Sequence, residues 1–308
     1  MPSLARCRWA DSKRLLPVVV AIFDTLPGEW FDRIIMGSMN DIADLVDLGR
    51  YPVEDVSVGQ GYAFAEECKA AFSRSGLCML PGFIRPAALD ALVSESSRYL
   101  DHAFFCDSTH NAYLTDSDPD DDDVGRRQEQ TYVGSVPYDR IPREALLESL
   151  YQWDPLKTFI GRVLDKSPFY RFEDPFGACS VNVFVDGGRH GWHFDESEFT
   201  VTLMLQAPEQ GGEFEYVPGI RGQDNEREIV RKTLDGDREN VVTLPFTPGT
   251  LLIFGGRQTL HRVTEVRGAK PRLVPVLCYA EQPGMQNSET VRKLFWGRAN
   301  PGDEITYG

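Results

Sequence analysis

Two histidines and an aspartate crowd the segment His190-Gly191-Trp192-His193-Phe194-Asp195. His193 and Asp195 are two residues apart, and on a β-strand positions i and i+2 point to the same face. An imidazole and a carboxylate so placed converge on one point and can share a metal ion. The pair alone does not require one, because the same spacing also arises as a surface ion pair. A third ligand has to come from elsewhere in the chain.

The segment Pro248-Gly249-Thr250-Leu251-Leu252-Ile253-Phe254-Gly255-Gly256, followed by Leu260-His261-Arg262-Val263, offers it. An apolar strand, a glycine turn and a returning strand put His261 at a strand start. Two neutral imidazoles and one carboxylate on one face form the facial triad of non-haem Fe(II) oxygenases. Three coordination positions stay open: a 2-oxoacid chelates two and dioxygen takes the third. A structural zinc site would instead be closed by four ligands. Arg272 follows His261 by eleven residues, at the head of the apolar run Pro271-Arg272-Leu273-Val274-Pro275-Val276. An arginine in such a run is expected to be buried and paired, and a guanidinium forks onto a carboxylate. The distal carboxylate of 2-oxoglutarate is the natural guest. On spacing alone Arg262, Arg267 and Lys270 are alternatives.

These residues need strands to hold them. Short β-rich runs recur beyond about residue 175: Ser180 to Val185, Phe199 to Gln206, Glu213 to Val217, Val241 to Pro245, Leu251 to Gly255, His261 to Glu265 and Arg272 to Tyr279. Such spacing without intervening helices predicts an antiparallel sandwich or barrel. Upstream, the apolar pattern predicts helices over Gly61 to Ser75, Ala87 to His102 (opened by Pro86) and Arg143 to Leu164, with a strand at Leu77 to Leu80. Residues 105–140 read as a long excursion containing the acidic run Thr115 to Asp123, which lacks the ligand spacing of a calcium loop. A last helix is expected over Ser288 to Phe295. The fold class is α+β: a double-stranded β-helix, or jelly roll, flanked by N-terminal helices and a C-terminal helix. Residues 39–308 are read as one catalytic domain with its jelly-roll core at about 175–283, and residues 1–38 as an extension dispensable for chemistry.

The series HxD, Gly211 to Phe214 (GGEF), PGTLLIFGG, LHRV and an arginine eleven residues on resembles the Fe(II)/2-oxoglutarate oxygenase superfamily, in its prolyl-hydroxylase-like branch. DLVDLGRYPV (Asp44 to Val53), HGWHFDESEFTVTLMLQ, GGEFEYVP and HRVTEVRGAKPR extend the likeness from about Met39 to the free-standing oxygenases of amino acids: lysine hydroxylases, radical halogenases and ring-forming relatives. The resemblance implies Fe(II), 2-oxoglutarate and O2 as cofactors, with His193, Asp195 and His261 on the metal. It also implies Arg272 on the co-substrate, helped by Asn182 or Thr202. In the halogenases Gly or Ala stands where this chain has Asp195, which leaves room for chloride, so halogenation is not expected. Lysine-acting members meet the terminal ammonium with acidic and amide side chains, where this chain offers Phe176, Val274 and Val276. An unpaired ammonium there would cost several kcal/mol. A small aliphatic amino acid such as valine or isovaline is therefore the expected substrate. Its oxidation by hydroxylation, desaturation or ring closure (an aziridine, for example) would belong to secondary metabolism. His190 matches the position that touches substrate in that group. Glu196 could receive an α-ammonium, Arg126 or Arg127 could clamp the α-carboxylate, and Trp296 could cover the pocket.

Composition narrows the alternatives. A net charge of -15 argues against nucleic acid, which demands clustered Lys and Arg. No run reaches the ~20 apolar residues of a membrane span; Leu15 to Phe23 comes nearest, interrupted by Pro17. Six scattered cysteines without a CxxC pair suit free thiols in a reducing cytoplasm. The rival readings are a cupin-like metal oxidase without 2-oxoglutarate, a jelly-roll binding protein, and a 2-oxoglutarate oxygenase acting on a protein residue or a lipid.

Overall fold

The computed structural model describes residues 41–115 and 123–306. The extension expected over 1–38, with its apolar run, and most of the acidic run Thr115 to Asp123 lie outside the described residues. Two antiparallel sheets face each other. Numbered along the chain, the larger one runs β1 (Leu77–Leu80), β10 (Leu251–Phe254), β7 (Thr200–Leu203), β12 (Arg272–Leu277), β5 (Cys179–Phe184), β3 (Glu129–Val136) and β2 (Phe104–His110). The smaller one runs β6 (His190–His193), β11 (Leu260–Val263), β8 (Phe214–Val217) and β9 (Val242–Leu244). A separate pair joins β4 (Tyr170–Arg171) to β13 (Tyr279–Ala280). The helices are α1 (Ile42–Leu45), α2 (Gly59–Ser75), α3 (Pro86–Ser97), α4 (Asp123–Arg126), α5 (Leu146–Gln152), α6 (Asp154–Val163), α7 (Glu226–Leu234) and α8 (Glu289–Trp296).

Strand alternation separates core from cavity. Val181 and Val183, Val201 and Leu203, Leu251 and Ile253, and Leu273 and Leu277 join one apolar cluster with Leu92, Leu150, Leu156 and Phe159 of the helical layer. The intervening residues, among them Asn182, Thr202, Arg272, Val274 and Val276, line the space between the sheets. Each strand thus presents one face to the helices and the other to the cavity, as period-two geometry requires. The double-stranded β-helix with flanking helices is the fold anticipated from the sequence.

Three expectations are corrected. The segment 105–140 is no mere excursion: β2 and β3 pair in register from Phe104↔Ser135 to His110↔Glu129, and β3 continues the sheet onto β5. Their polar side chains obscured the strand pattern. The helix expected over Arg143 to Leu164 is two helices, because Pro155 cannot sit in a helix interior and Trp153 turns extended before it (φ -71°, ψ 111°). The second helix stops at Ser97, leaving a separate 3-10 turn at Leu100–His102. Helix α7, an insertion between β8 and β9, was not anticipated. The last helix forms as expected, with the Ser288 hydroxyl accepting from the Val291 N–H at its start and Gly297 (φ 68°) ending it. No helix among the described residues is long and apolar enough to cross a membrane. The five described cysteines are free.

Candidate metal centre and co-substrate site

β6 and β11 are paired so that His193 faces His261 directly across the ladder. Their rings lie 4.2 Å apart, and Asp195, two residues beyond His193, puts Oδ1 at 3.3 Å from His193 Nε2 and 3.4 Å from His261 Nε2. Ligands about 2.1 Å from a common ion and at right angles to one another stand about 3 Å apart, so the separations suit one ion. All three ligand atoms lie within 4.8 Å of one another. Each imidazole is oriented from behind: His193 Nδ1 donates to the Gly191 carbonyl at 2.8 Å, and His261 Nδ1 donates to that of Thr259 at 2.9 Å. A carbonyl only accepts, so both protons sit on Nδ1 and both Nε2 lone pairs point inward, as a metal requires. Burial, and then the proximity of His261, hold His193 below the usual histidine range. Burial alone would raise the Asp195 carboxyl; His261 and His193 outweigh it and keep it well below the usual carboxylate range. Asp195 Oδ2 accepts from the Thr200 hydroxyl at 2.7 Å, and its N–H donates to the Gly256 carbonyl. A Cβ on Gly256 would lie 2.0 Å from Asp195 Oδ2, so that glycine makes room for the carboxylate.

Arg272 opens β12 opposite Phe184 and is 2% exposed. Its guanidinium lies 5.1 Å from the centre of the Phe184 ring and 5.8 Å from that of Phe246. Among the described residues no carboxylate pairs with it, and its Nε has no hydrogen-bond partner. Burial pulls its pKa down to about 9, yet arginine keeps its proton in proteins. A buried unpaired charge costs several kcal/mol, so the pocket calls for an anion. The alternatives on spacing are otherwise engaged or exposed: Arg262 binds Glu215 at 2.8 Å, Arg267 meets Glu265 at 3.2 Å, and Lys270 is exposed. Thr202 Oγ1 is buried in the same wall without a partner among the described residues, and Asn182 faces the cavity from β5. The cavity, about 1820 Å³, contains Arg272, the triad and a mouth bordered by α8. A 2-oxoacid that chelates a metal through one end and presents a carboxylate at the other fits this set of donors.

A family model described as HalD, Halogenase D, matches residues 62–295. The chain belongs to the Halogenase D family. In this family member His193, Asp195 and His261 supply the two imidazoles and one carboxylate of a non-haem iron site with open positions. Among solved structures, the non-haem α-ketoglutarate-dependent epimerase SnoN from nogalamycin biosynthesis is similar in fold. The TM-score is 0.51 at 16% identity, over 71% of this chain and 83% of that one. HygX from Streptomyces hygroscopicus, solved with nickel, 2-oxoglutarate and hygromycin B, gives 0.49 at 15% identity, over 71% of this chain and 88% of that one. AviO1 from Streptomyces viridochromogenes Tue57 gives 0.48 at 17% identity, over 72% of this chain and 96% of that one. No curated protein sequence matches the chain.

In this Halogenase D family member the remaining site candidates divide. His190, Glu196, Val274 and Val276 line the cavity. His190 stacks on His193 at 3.8 Å between ring centres, and Glu196 is exposed at the mouth. Four others are placed elsewhere. Arg127 is committed to the end of α7, bonding Asp235 Oδ1 at 2.5 Å and the Leu234 carbonyl, and neither it nor Arg126 lines the cavity. Phe176 is fully buried beneath Trp296 and Arg298. Trp296 anchors α8 to β3 through Nε1–H donating to Ser135 Oγ at 3.0 Å, while Leu294 and Phe295 of the same helix reach the cavity. The sequence reading missed His110, whose ring stands edge-on to His190 and His193 at 5.7 Å from each. His110 Nδ1–H donates to the Asn111 carbonyl at 3.1 Å, and Nε2 accepts from the Thr131 hydroxyl at 2.8 Å. Its signal was available: Cys106, Ser108 and His110 alternate along β2 and all line the cavity.

Proposed function

We propose that this enzyme oxidises an unactivated C–H bond of a small aliphatic free amino acid in the cytoplasm, through one catalytic domain beginning near residue 39. His193, Asp195 and His261 hold the iron, and Arg272 receives the distal carboxylate of 2-oxoglutarate, with Thr202 and Asn182 beside it. The observation that carries the co-substrate assignment is Arg272, a buried guanidinium with no anion beside it among the described residues, on the wall of the cavity that holds the triad. Bound together, iron, 2-oxoglutarate and dioxygen supply an oxidant able to take hydrogen from such a bond. Asp195 occupies the position a halide would need, which favours oxygenation over halogenation. Val274 and Val276 give the substrate an apolar wall, His190 contacts it beside the triad, and Glu196 receives the α-ammonium. The balance is R–H + 2-oxoglutarate + O2 → R–OH + succinate + CO2. Desaturation or ring closure removes two hydrogens and releases water instead.

A second reading rests on cavity size. At about 1820 Å³ the space exceeds the ~300–1,000 Å³ of ordinary small-molecule pockets, which favours a larger substrate oxidised by the same chemistry. Incubating the reconstituted enzyme with single amino acids and following succinate and product mass separates the two. Substrate-dependent succinate with a product 16 Da heavier or 2 Da lighter supports the first reading, and succinate that no amino acid stimulates overturns it.

A further inference from the structure

An α-amino acid brings a carboxylate as well as an ammonium, and displacement of Arg126 and Arg127 from the cavity leaves that carboxylate without the partner expected for it. Among the described residues two cations line the cavity: Arg272, buried and facing the co-substrate end, and Arg257 at the mouth. Arg257 lies in the 3-10 turn Gly256–Gln258, immediately after the glycine that makes room for Asp195. Its Nε and Nη2 both donate to the main-chain carbonyl of Glu196, at 3.0 and 2.5 Å. That fork fixes the guanidinium beside the loop that carries Asp195 and Glu196, and among the described residues leaves its Nη1 uncommitted. No ion pair closes between the Arg257 guanidinium and the Glu196 carboxylate, although their residues are tied together. The other acidic groups of the mouth are already neutralised, because Lys166 bridges Glu198 at 2.8 Å and Glu281 at 3.1 Å.

We infer that Arg257 is the carboxylate clamp of the substrate site. Resting on the amino-acid reading above, the inference deepens it: Arg257 and Glu196 form a two-point receptor for a zwitterion. The α-carboxylate lies on Nη1 of Arg257 and the α-ammonium on Glu196. The receptor stands next to Asp195, so the side chain of a captured amino acid is directed inward toward the triad and the Val274–Val276 wall. The site would select free α-amino acids over amines, amides and peptides linked through the carboxyl group.

The test is calorimetric titration of the Fe(II)/2-oxoglutarate-loaded protein under nitrogen with L-valine and L-valinamide, for the native enzyme, Arg257→Ala and Arg257→Lys. Native protein should prefer valine over valinamide by about tenfold or more, the worth of one charge-assisted bond. Arg257→Ala should erase that preference, and Arg257→Lys, which keeps the charge but not the fork, should retain part of it. The ratio between the two ligands is the informative quantity. A purely structural role in tethering the Glu196 carbonyl would weaken both ligands alike and leave the preference intact, which overturns the inference. The exposed position makes misfolding of the variants unexpected, and their melting temperatures should match the native value. Native protein that binds no free amino acid would sink the amino-acid reading itself. Native preference for valine that survives Arg257→Ala would sink only the clamp.

Discussion

The inner end of the cavity and its mouth treat charge in opposite ways. Inside, among the described residues, Arg272 is buried with no anion beside it, and Thr202 Oγ1 lies in the same wall without a partner. At the mouth, Lys166 bridges Glu198 and Glu281, and Arg257 leans on a main-chain carbonyl. A polar group buried unsatisfied costs far more than one at the surface, so the inner end is complete only when an anionic ligand fills it. The mouth is close to self-sufficient and has only a modest charge pair to offer. Affinity for the co-substrate should therefore be concentrated in one residue, whereas substrate selection is spread over weaker contacts.

Arg272→Met breaks this contrast most severely. It should reduce 2-oxoglutarate affinity by at least about a hundredfold, since an ionic fork in a low-dielectric site is lost. The same change should raise the melting temperature of the ligand-free protein, because a well-packed apolar side chain relieves an unpaired buried charge by about 1–4 kcal/mol. Co-substrate binding and thermal unfolding measured on one preparation would show the two effects moving apart. Equal loss of both would mean that Arg272 serves stability.

Gly256→Ala attacks the triad from behind. The new Cβ would stand 2.0 Å from Asp195 Oδ2, and displacing that carboxylate should weaken metal binding by about 10–100-fold, the usual cost of disturbing a ligand's support. Titration with Mn(II) or Co(II) measures it. Asp174→Asn tests the frame of the mouth. Asp174 accepts from Arg292 at 2.8 Å and from the N–H groups of Phe176, Gly177 and Asn287, and so ties α8 to the start of β5. Burial would raise its carboxyl, but these bonds, with Gly177 first and Arg292 next, bring it below the usual range. Its stabilisation is therefore complete above the ordinary carboxyl range and is lost as pH falls through its lowered pKa. Leaving Arg292 buried and unpaired should cost about 3 kcal/mol at neutral pH, read as a lower denaturant midpoint, and the variant should lose part of the acid sensitivity. Lys166→Ala is the mildest change: its ion pairs are partly exposed, and their loss should cost under about 1 kcal/mol and leave co-substrate affinity unchanged.

The same contrast explains what the sequence made legible. His193 and Asp195 are paired by their two-residue spacing, a local signal, and His261 is placed by the glycine turn before it, whereas Arg272 shared its spacing with Arg262, Arg267 and Lys270 and stood out only by its apolar run. The jelly roll followed from runs closed by Gly, Pro and Asp. What escaped depends on distant partners. Arg127 looks available in the sequence, but Asp235, more than a hundred residues on, holds it at the end of α7. Trp296 and Phe295 are neighbours on one helix, and only the docking of α8 decides that Phe295 reaches the cavity while Trp296 bonds Ser135. β2 and β3 were concealed by the very side chains that make them useful, since Ser108, His110 and Thr131 are polar because they line the site.

In the proposed function the triad and Arg272 together hold iron and 2-oxoglutarate in one cavity. The most direct test is the visible spectrum of metal-free protein given Fe(II) and 2-oxoglutarate under nitrogen, native against Asp195→Ala and Arg272→Met. In chloride-free buffer the native protein should show a weak charge-transfer band, absent in Asp195→Ala, and recovered in Arg272→Met only at far higher 2-oxoglutarate. A native protein that shows no band at any co-substrate concentration, or a band indifferent to both substitutions, would contradict the proposed function.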